Sequence, residues 1–203
     1  MKIGIFGGTF NPVHLGHLAA CKAVCAVRGL ERVLLVPSGS PPHKQDEAGL
    51  VPGARRLEMV RIAVGGAGSL EPSAVEIERP GPSYMVDTLE ILQQRHPGDE
   101  LFLIVGGDTV SELATWHNWR RLFELSRIVA VNRPGFSPDF DAGSFPGISG
   151  EILHQCAADM VEMEEVDISS TGIRQAVATG ADISSWVPGG VGEYIREHSL
   201  YSS

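Results

Sequence analysis

A short apolar run, Ile3-Gly4-Ile5-Phe6, leads directly into Gly7-Gly8-Thr9-Phe10-Asn11-Pro12-Val13-His14-Leu15-Gly16-His17-Leu18 and then into an Ala/Leu/Val-rich segment. That order reads as a strand from Met1 to Phe6, a glycine-rich turn, and a helix from Leu15 to Arg28 that Gly29 ends. A second apolar run, Val33-Leu34-Leu35-Val36, has strand length and is stopped by Pro37. Strand, helix and strand in this spacing imply a parallel pair with a right-handed crossover, and hence an α/β sheet.

The turn carries the chemistry. Gly7 and Gly8 let the backbone approach a ligand with no Cβ in the way. Asn11 and Pro12 read as a helix cap and a first-turn proline, which sets His14 and His17 near a helix N-terminus, where unpaired N–H groups and the dipole favour an anion. Their spacing puts both imidazoles on one face, and Gly16 between them leaves the backbone bare. A strand-to-helix turn needs glycine in any case. Two glycines, a capping pair and a His-x-Gly-His quartet together point to a phosphate.

Composition limits what bears that phosphate. With 16 basic and 25 acidic side chains the net charge is −9, so the site is local and broad capture of DNA or RNA is not expected. At 203 residues the chain fits a single domain, 1–203, with 43% hydrophobic residues to build a core. It shows neither a membrane-length apolar run nor a signal-peptide pattern, and Cys21, Cys25 and Cys156 form no C-x-x-C pair. Reduced thiols and a cytoplasmic location are the expectation.

Further along, Pro37-Ser38-Gly39-Ser40-Pro41-Pro42-His43-Lys44 follows a strand at the edge where open α/β sheets bind ligands, and Lys44 there suits phosphate. Arg55 to Val64 reads as helix, Leu70 to Glu78 as a strand with alternating Val75 and Ile77, and Pro82 to about Arg95 as a helix with its opening turn. Leu101 to Val105 is a buried strand ending in Gly106-Gly107-Asp108; the carboxylate suits a ribose hydroxyl, and equally an N-cap. Trp116 and Trp119 are residues that usually pack in a core. Arg127 to Asn132 is a strand, 136–150 a surface excursion, and Met160 to Val166 a half-buried strand whose acidic side chains face solvent. In Ile168-Ser169-Ser170-Thr171-Gly172-Ile173-Arg174, hydroxyls at a helix start plus a fork-shaped cation suit a triphosphate, or form an ordinary cap with a surface Arg.

These motifs resemble, in order, those of the nucleotidyltransferase superfamily, which shares its His-x-Gly-His element with class I aminoacyl-tRNA synthetases. The longer form, G-G-T-F-[DN]-P-x-H-x-G-H, resembles the bacterial nicotinate-nucleotide adenylyltransferase family, in which Asn11 stands where many members have Asp. Pro41 to Lys44 is similar to the second signature, which contacts substrate phosphate, and residues 168–174 to the third. Residues 82–89 resemble the P-S-Y-T-x-x-T-L helix start whose amides receive the nicotinate carboxylate, with Met85 in place of the usual Thr. Residues 187–200 resemble the family's closing helix.

The resemblance implies a Rossmann-like, doubly wound, mostly parallel sheet with helices on both faces, and adenylyl transfer from ATP to nicotinate mononucleotide in NAD biosynthesis. It implies His14, His17, Lys44 and Arg174 as the charge-stabilising catalytic set. ATP falls to Gly7, Gly8, Thr9, Phe10, Gly16, His17, Gly106, Asp108, Ser169, Ser170, Thr171 and Arg174, and the acceptor to Lys44, Tyr84, Met85, Thr88, Trp116 and His117. Trp116 would stack on the pyridine ring. Mg²⁺ is expected on the ATP phosphates rather than in a protein cage, with no nucleic acid or membrane partner, in a monomer or homo-oligomer. Pantetheine-phosphate adenylyltransferase or a cytidylyltransferase keeps the first signature with another acceptor, and a non-catalytic ATP-sensing module is a reading from a different class.

Overall fold

The computed structural model describes residues 1–41, 49–66, 68–132, 138–164 and 166–202. Among them, six strands form one parallel sheet: β1 (Lys2–Gly8), β2 (Arg32–Pro37), β3 (Leu70–Pro72), β4 (Glu100–Gly106), β5 (Arg127–Asn132) and β6 (Val161–Glu162), in spatial order β3-β2-β1-β4-β5-β6. Helices α1 (Leu15–Arg28), α2 (Gly53–Val64), α3 (Met85–Arg95), α4 (Trp119–Leu125), α5 (Gly150–Ala158), α6 (Ser170–Ala178) and α7 (Gly189–Glu197), with a 3-10 helix at Asp108–Thr115, complete the described elements.

Strand side chains alternate between faces, and each face has its own core. Ile3, Ile5, Leu101 and Leu103 pack with Leu89 and Leu92 of α3, Phe123 of α4 and Leu153 of α5. Val33, Leu35, Phe102 and Ile104 pack oppositely, with Leu18 and Val24 of α1, Met59 of α2, Ile173 of α6 and Val191 of α7. Burial on both faces is why the central strands read as unbroken apolar runs rather than alternating ones. The doubly wound sheet expected from the sequence is therefore present. β1 lies between β2 and β4, with Phe6 opposite both Leu35 and Ile104. The strand order reverses there, which opens a crevice at the C-terminal strand ends.

α1 spans Leu15–Arg28, and Gly29 closes it at φ 61°, a left-handed conformation that glycine adopts without a Cβ clash. Four expectations need correction. Asn11 is not the α1 cap: His14 is. The side-chain amide of Asn11 instead donates to the Gly49 carbonyl and its oxygen accepts the Val51 N–H, across a cis Asn11–Pro12 peptide. β3 stops at Pro72; residues beyond it turn, with Glu78 N–H bonded to the Ala74 carbonyl, so the Val75/Ile77 alternation belongs to a turn with Val75 buried. β6 covers only Val161–Glu162 of the strand expected over 160–166. In 138–149 the chain is anchored rather than excursive, because Phe145 is 1% exposed and packs with Trp119, Phe123 and Phe140. That same cluster makes Trp119 a packing residue, as the sequence suggested.

Candidate active site

The turn after β1 is held from below by a residue without a motif. Arg56 of α2 is 1% exposed, and its guanidinium donates to the carbonyls of Val51 (2.8 Å), Thr9 (2.7 Å) and Ser38 (2.6 Å). It thereby binds the β1 turn to the loop after β2. Phe10, 2% exposed, takes a positive φ of 48°, a strained conformation for a residue with a Cβ. Its ring meets that of His17 edge to face, with centroids 5.0 Å apart.

His14 and His17 stack with ring centroids 3.6 Å apart. The His14 backbone N–H donates to His17 Nδ1 (3.2 Å), so the His17 proton sits on Nε2, where it is available to a ligand. Burial pushes the His14 pKa down to about 4, and burial with the neighbouring His14 holds His17 well below its usual value. Both are therefore neutral donors at pH 7 before a ligand arrives. His14 Nδ1 is buried with no hydrogen-bond partner, and a desolvated, unpaired polar atom of this kind is a costly feature for a protein to hold unused.

A stability consequence follows from these shifts. Because the folded-state pKa of His14 lies below its unfolded value of 6.5, the unfolded chain binds the extra proton; stability is full above pH 6.5 and is lost as pH falls towards about 4. Each such group contributes at most about 1.4 kcal/mol per pH unit. Urea midpoints measured from pH 7 to pH 4 should fall less steeply for His14→Gln than for the wild type; equal slopes would exclude His14 as a source.

Two clefts open on either side of the turn. The first is lined by His14, Gly16, His17 and Gly106, with Asn132 and the Met163–Glu164 segment. The second, about 1030 Å³ of empty space including its open mouth, is lined by Gly7, Gly8, Thr9, Tyr84, Met85, Trp116 and His117. Tyr84 and His117 stack there at 4.2 Å between centroids. Met85 reaches across to Gly7, where an added Cβ would lie 2.2 Å from the methionine methyl carbon. Gly7, Gly8 and Thr9, assigned to ATP on sequence, thus line the cleft that also holds the acceptor residues.

The C-terminal motif closes on the turn from the other side. Ser170 Oγ donates to the Pro12 carbonyl (2.8 Å) and Arg174 Nη1 to the Asn11 carbonyl (3.0 Å), while the Tyr201 hydroxyl donates to Asn11 Oδ1 (2.8 Å). The helix therefore grips the turn directly. Its hydroxyls are already engaged: Ser169 accepts the Gly172 N–H as the α6 cap, and Thr171 accepts from Arg174.

Two expected residues stand differently. Thr88 is fully buried, its hydroxyl given to Glu76 at 2.6 Å, and it lines neither cleft. Asp108 is exposed at the start of the 3-10 helix and accepts from the Thr109 N–H, beside Gly106 rather than in a cleft wall. Lys44 and His43 lie outside the described residues. Sequence reasoning missed Arg56, Glu76 and Tyr201, none of which carries a local signal; Glu164, read as solvated, is exposed and lines the first cleft. Among the described residues no group of three or more His, Cys, Asp or Glu is placed to hold a metal ion, and no helix is long and apolar enough to cross a membrane.

Residues 5–176 match the cytidylyltransferase-like family model. Relatives named "Probable nicotinate-nucleotide adenylyltransferase" are similar over their whole length: one from Thermus thermophilus is 40% identical, over 99% of this chain and 100% of its own, and one from Pelobacter propionicus is 38% identical, over 100% and 99%. Among solved structures, Plasmodium falciparum nicotinic acid mononucleotide adenylyltransferase complexed with NaAD superposes with a TM-score of 0.74 at 17% identity, covering 98% of this chain and 97% of its own, which supports the fold. With a family model spanning most of the sequence and full-length relatives at this identity, the chain belongs to the nicotinate-nucleotide adenylyltransferase family within the cytidylyltransferase-like nucleotidyltransferases.

Proposed function

We infer that the protein transfers the adenylyl group of ATP to nicotinate mononucleotide, forming deamido-NAD and pyrophosphate in NAD biosynthesis. The observation that carries this reading is the meeting of two clefts at one turn, beside paired neutral imidazoles at a helix N-terminus. The acceptor phosphate is already an anion at neutral pH. Its oxygen attacks the α-phosphorus of ATP as the bond to pyrophosphate breaks, so no side-chain nucleophile is required. What the chain supplies is alignment of two polyanions and donors for charge that grows on the phosphoryl and leaving oxygens.

In this reading His17 Nε2–H and His14 meet the phosphates, with Arg174 and Lys44 adding cations, and the Gly106–Asp108 end receives the ribose and adenine. Ser169, Ser170 and Thr171 act through their grip on the turn and the N-terminus of α6. Trp116 and the Tyr84–His117 stack flank the pyridine ring, and the Met85 amide at the start of α3 faces its carboxylate, the Tyr84 N–H being given to the Pro82 carbonyl. The imidazole donors lining the first cleft suit phosphate oxygens; a divalent cation, Mg²⁺ in our assignment, would therefore travel on the nucleotide's phosphates. Three free thiols fit a cytoplasmic setting. Contributions from both chain ends to one turn support residues 1–203 acting as one domain.

Initial rates with nicotinate mononucleotide and nicotinamide mononucleotide, side by side, test the assignment. A charge-assisted bond worth about 1.5–3 kcal/mol gives roughly a ten- to hundredfold preference for the acid. Preference for the amide would remove the carboxylate from the start of α3.

A further inference from the structure

The tail beyond α7 takes no part in the chemistry above, yet it reaches the turn after β1. Ser199 and Tyr201 both adopt left-handed backbone conformations, φ 48° and 63°, which are costly for residues with a Cβ and persist only where the surroundings hold them. The Leu200 N–H donates back to the Ile195 carbonyl (3.0 Å), and Leu200 and Tyr201 pack against the core that α1, α2 and α7 share. This reversal carries the Tyr201 hydroxyl across 190 positions to Asn11 Oδ1, 2.8 Å away. Asn11 is 3% exposed. Its Oδ1 accepts the Tyr201 hydroxyl and the Val51 N–H (3.2 Å), which fills both lone pairs, and its Nδ2 donates to the Gly49 carbonyl (3.0 Å). Its backbone carbonyl accepts from Arg174 (3.0 Å). Asn11 is thus where the C-terminal tail, the segment 49–51 and α6 are all tied to the turn. Before it in sequence lie Gly7, Gly8 and Thr9 of the acceptor cleft; after it lie His14, Gly16 and His17 of the first cleft.

We propose that Tyr201 is a positioning residue for adenylyl transfer: by donating to Asn11 Oδ1 beside the Val51 N–H, it fixes the middle of the turn, and with it the placement of the acceptor-cleft wall relative to His14 and His17. The proposal rests on the function inferred above. Tyr201 itself lines neither cleft. Loss of its hydroxyl therefore removes no contact with either nucleotide. What changes is the alignment of two polyanions bound on opposite sides of Asn11, which enters the rate of the chemical step rather than the affinity for each substrate. A tyrosine that only packed would behave differently, because phenylalanine keeps its ring.

Steady-state kinetics on the full chain, at a temperature where circular dichroism shows every variant folded, should give Tyr201→Phe a kcat about tenfold below wild type, with KM for ATP and for nicotinate mononucleotide each within about twofold. In Asn11→Ala the acceptor is gone, so adding Tyr201→Phe should lower kcat no further. In Asn11→Asp the carboxylate still accepts from the phenol, and Tyr201→Phe should cost at least as much as in the wild type. The Asp background keeps the test open if Asn11→Ala does not fold. A wild-type kcat for Tyr201→Phe, an effect confined to the KM values, or the full further loss in Asn11→Ala would each overturn the proposal. A wild-type protein that releases no pyrophosphate from ATP and nicotinate mononucleotide would instead overturn the function on which it rests.

Discussion

With His17 replaced by Ala, kcat for adenylyl transfer is expected to fall about a hundred- to a thousandfold, the usual consequence of removing one preorganised donor aimed at developing charge. The reason lies in how the ring is held. A backbone N–H from His14 occupies Nδ1, which leaves Nε2–H as the donor, and contacts with Phe6, Phe10 and the His14 ring fix its plane. Burial keeps the ring neutral, so Nδ1 goes on accepting the His14 N–H while Nε2–H faces the polyphosphate. Such a donor costs no reorganisation as charge builds in the transition state. The effect should therefore appear in kcat more than in KM for ATP, with the far-UV circular dichroism spectrum retained. Turnover within about threefold of wild type, against a donor worth several kcal/mol, would remove His17 from the chemistry.

Local pattern carried much of this architecture, because strands β1, β2, β4 and β5 are buried on both faces and α1 ends at a glycine that takes a left-handed conformation. It misled where the same local signal has two physical sources. Val75 and Ile77 alternate as strand residues do, yet the bonds to β2 end at Ser73, whose N–H donates to the Leu35 carbonyl, and the chain then turns. Asn11 looks like a cap because Asn is a good cap, but its amide is consumed by Gly49, Val51 and Tyr201. Contacts across the chain were legible only through family motifs: Ser170 reaches Pro12 over 158 positions, and nothing local in either segment announces the other. Glu76 and Arg56 escaped for a further reason. Their roles consist of satisfying backbone and hydroxyl groups that become orphaned only once the fold exists.

Arg56 should prove the most costly side chain to remove for stability. It sits at the junction of three segments, and its guanidinium satisfies carbonyls of Thr9, Ser38 and Val51 that no solvent reaches easily. Burial lowers its pKa from the ordinary value, while the nearby Tyr201 and Glu76 oppose that shift; a guanidinium so placed still stays charged. Truncation to Ala leaves these acceptors unpaired and opens a cavity beneath the turn. Unsatisfied buried groups cost about 1–3 kcal/mol each, and breaking a buried charged contact typically costs about 3–5 kcal/mol in total. We therefore expect Arg56→Ala to lose about 3–5 kcal/mol in urea unfolding, a large share of a typical domain's stability. Arg56→Lys should recover only part of this, because one ammonium cannot reproduce a planar fork serving three carbonyls. Loss of the tether between Thr9 and Ser38 also frees the two walls that frame the turn, so any folded Arg56 variant should show weaker acceptor binding alongside its lower stability. A change below about 1 kcal/mol for Arg56→Ala would mean that the carbonyls find water or other donors, and that the turn is held chiefly by Ser170 and Arg174 from the opposite side.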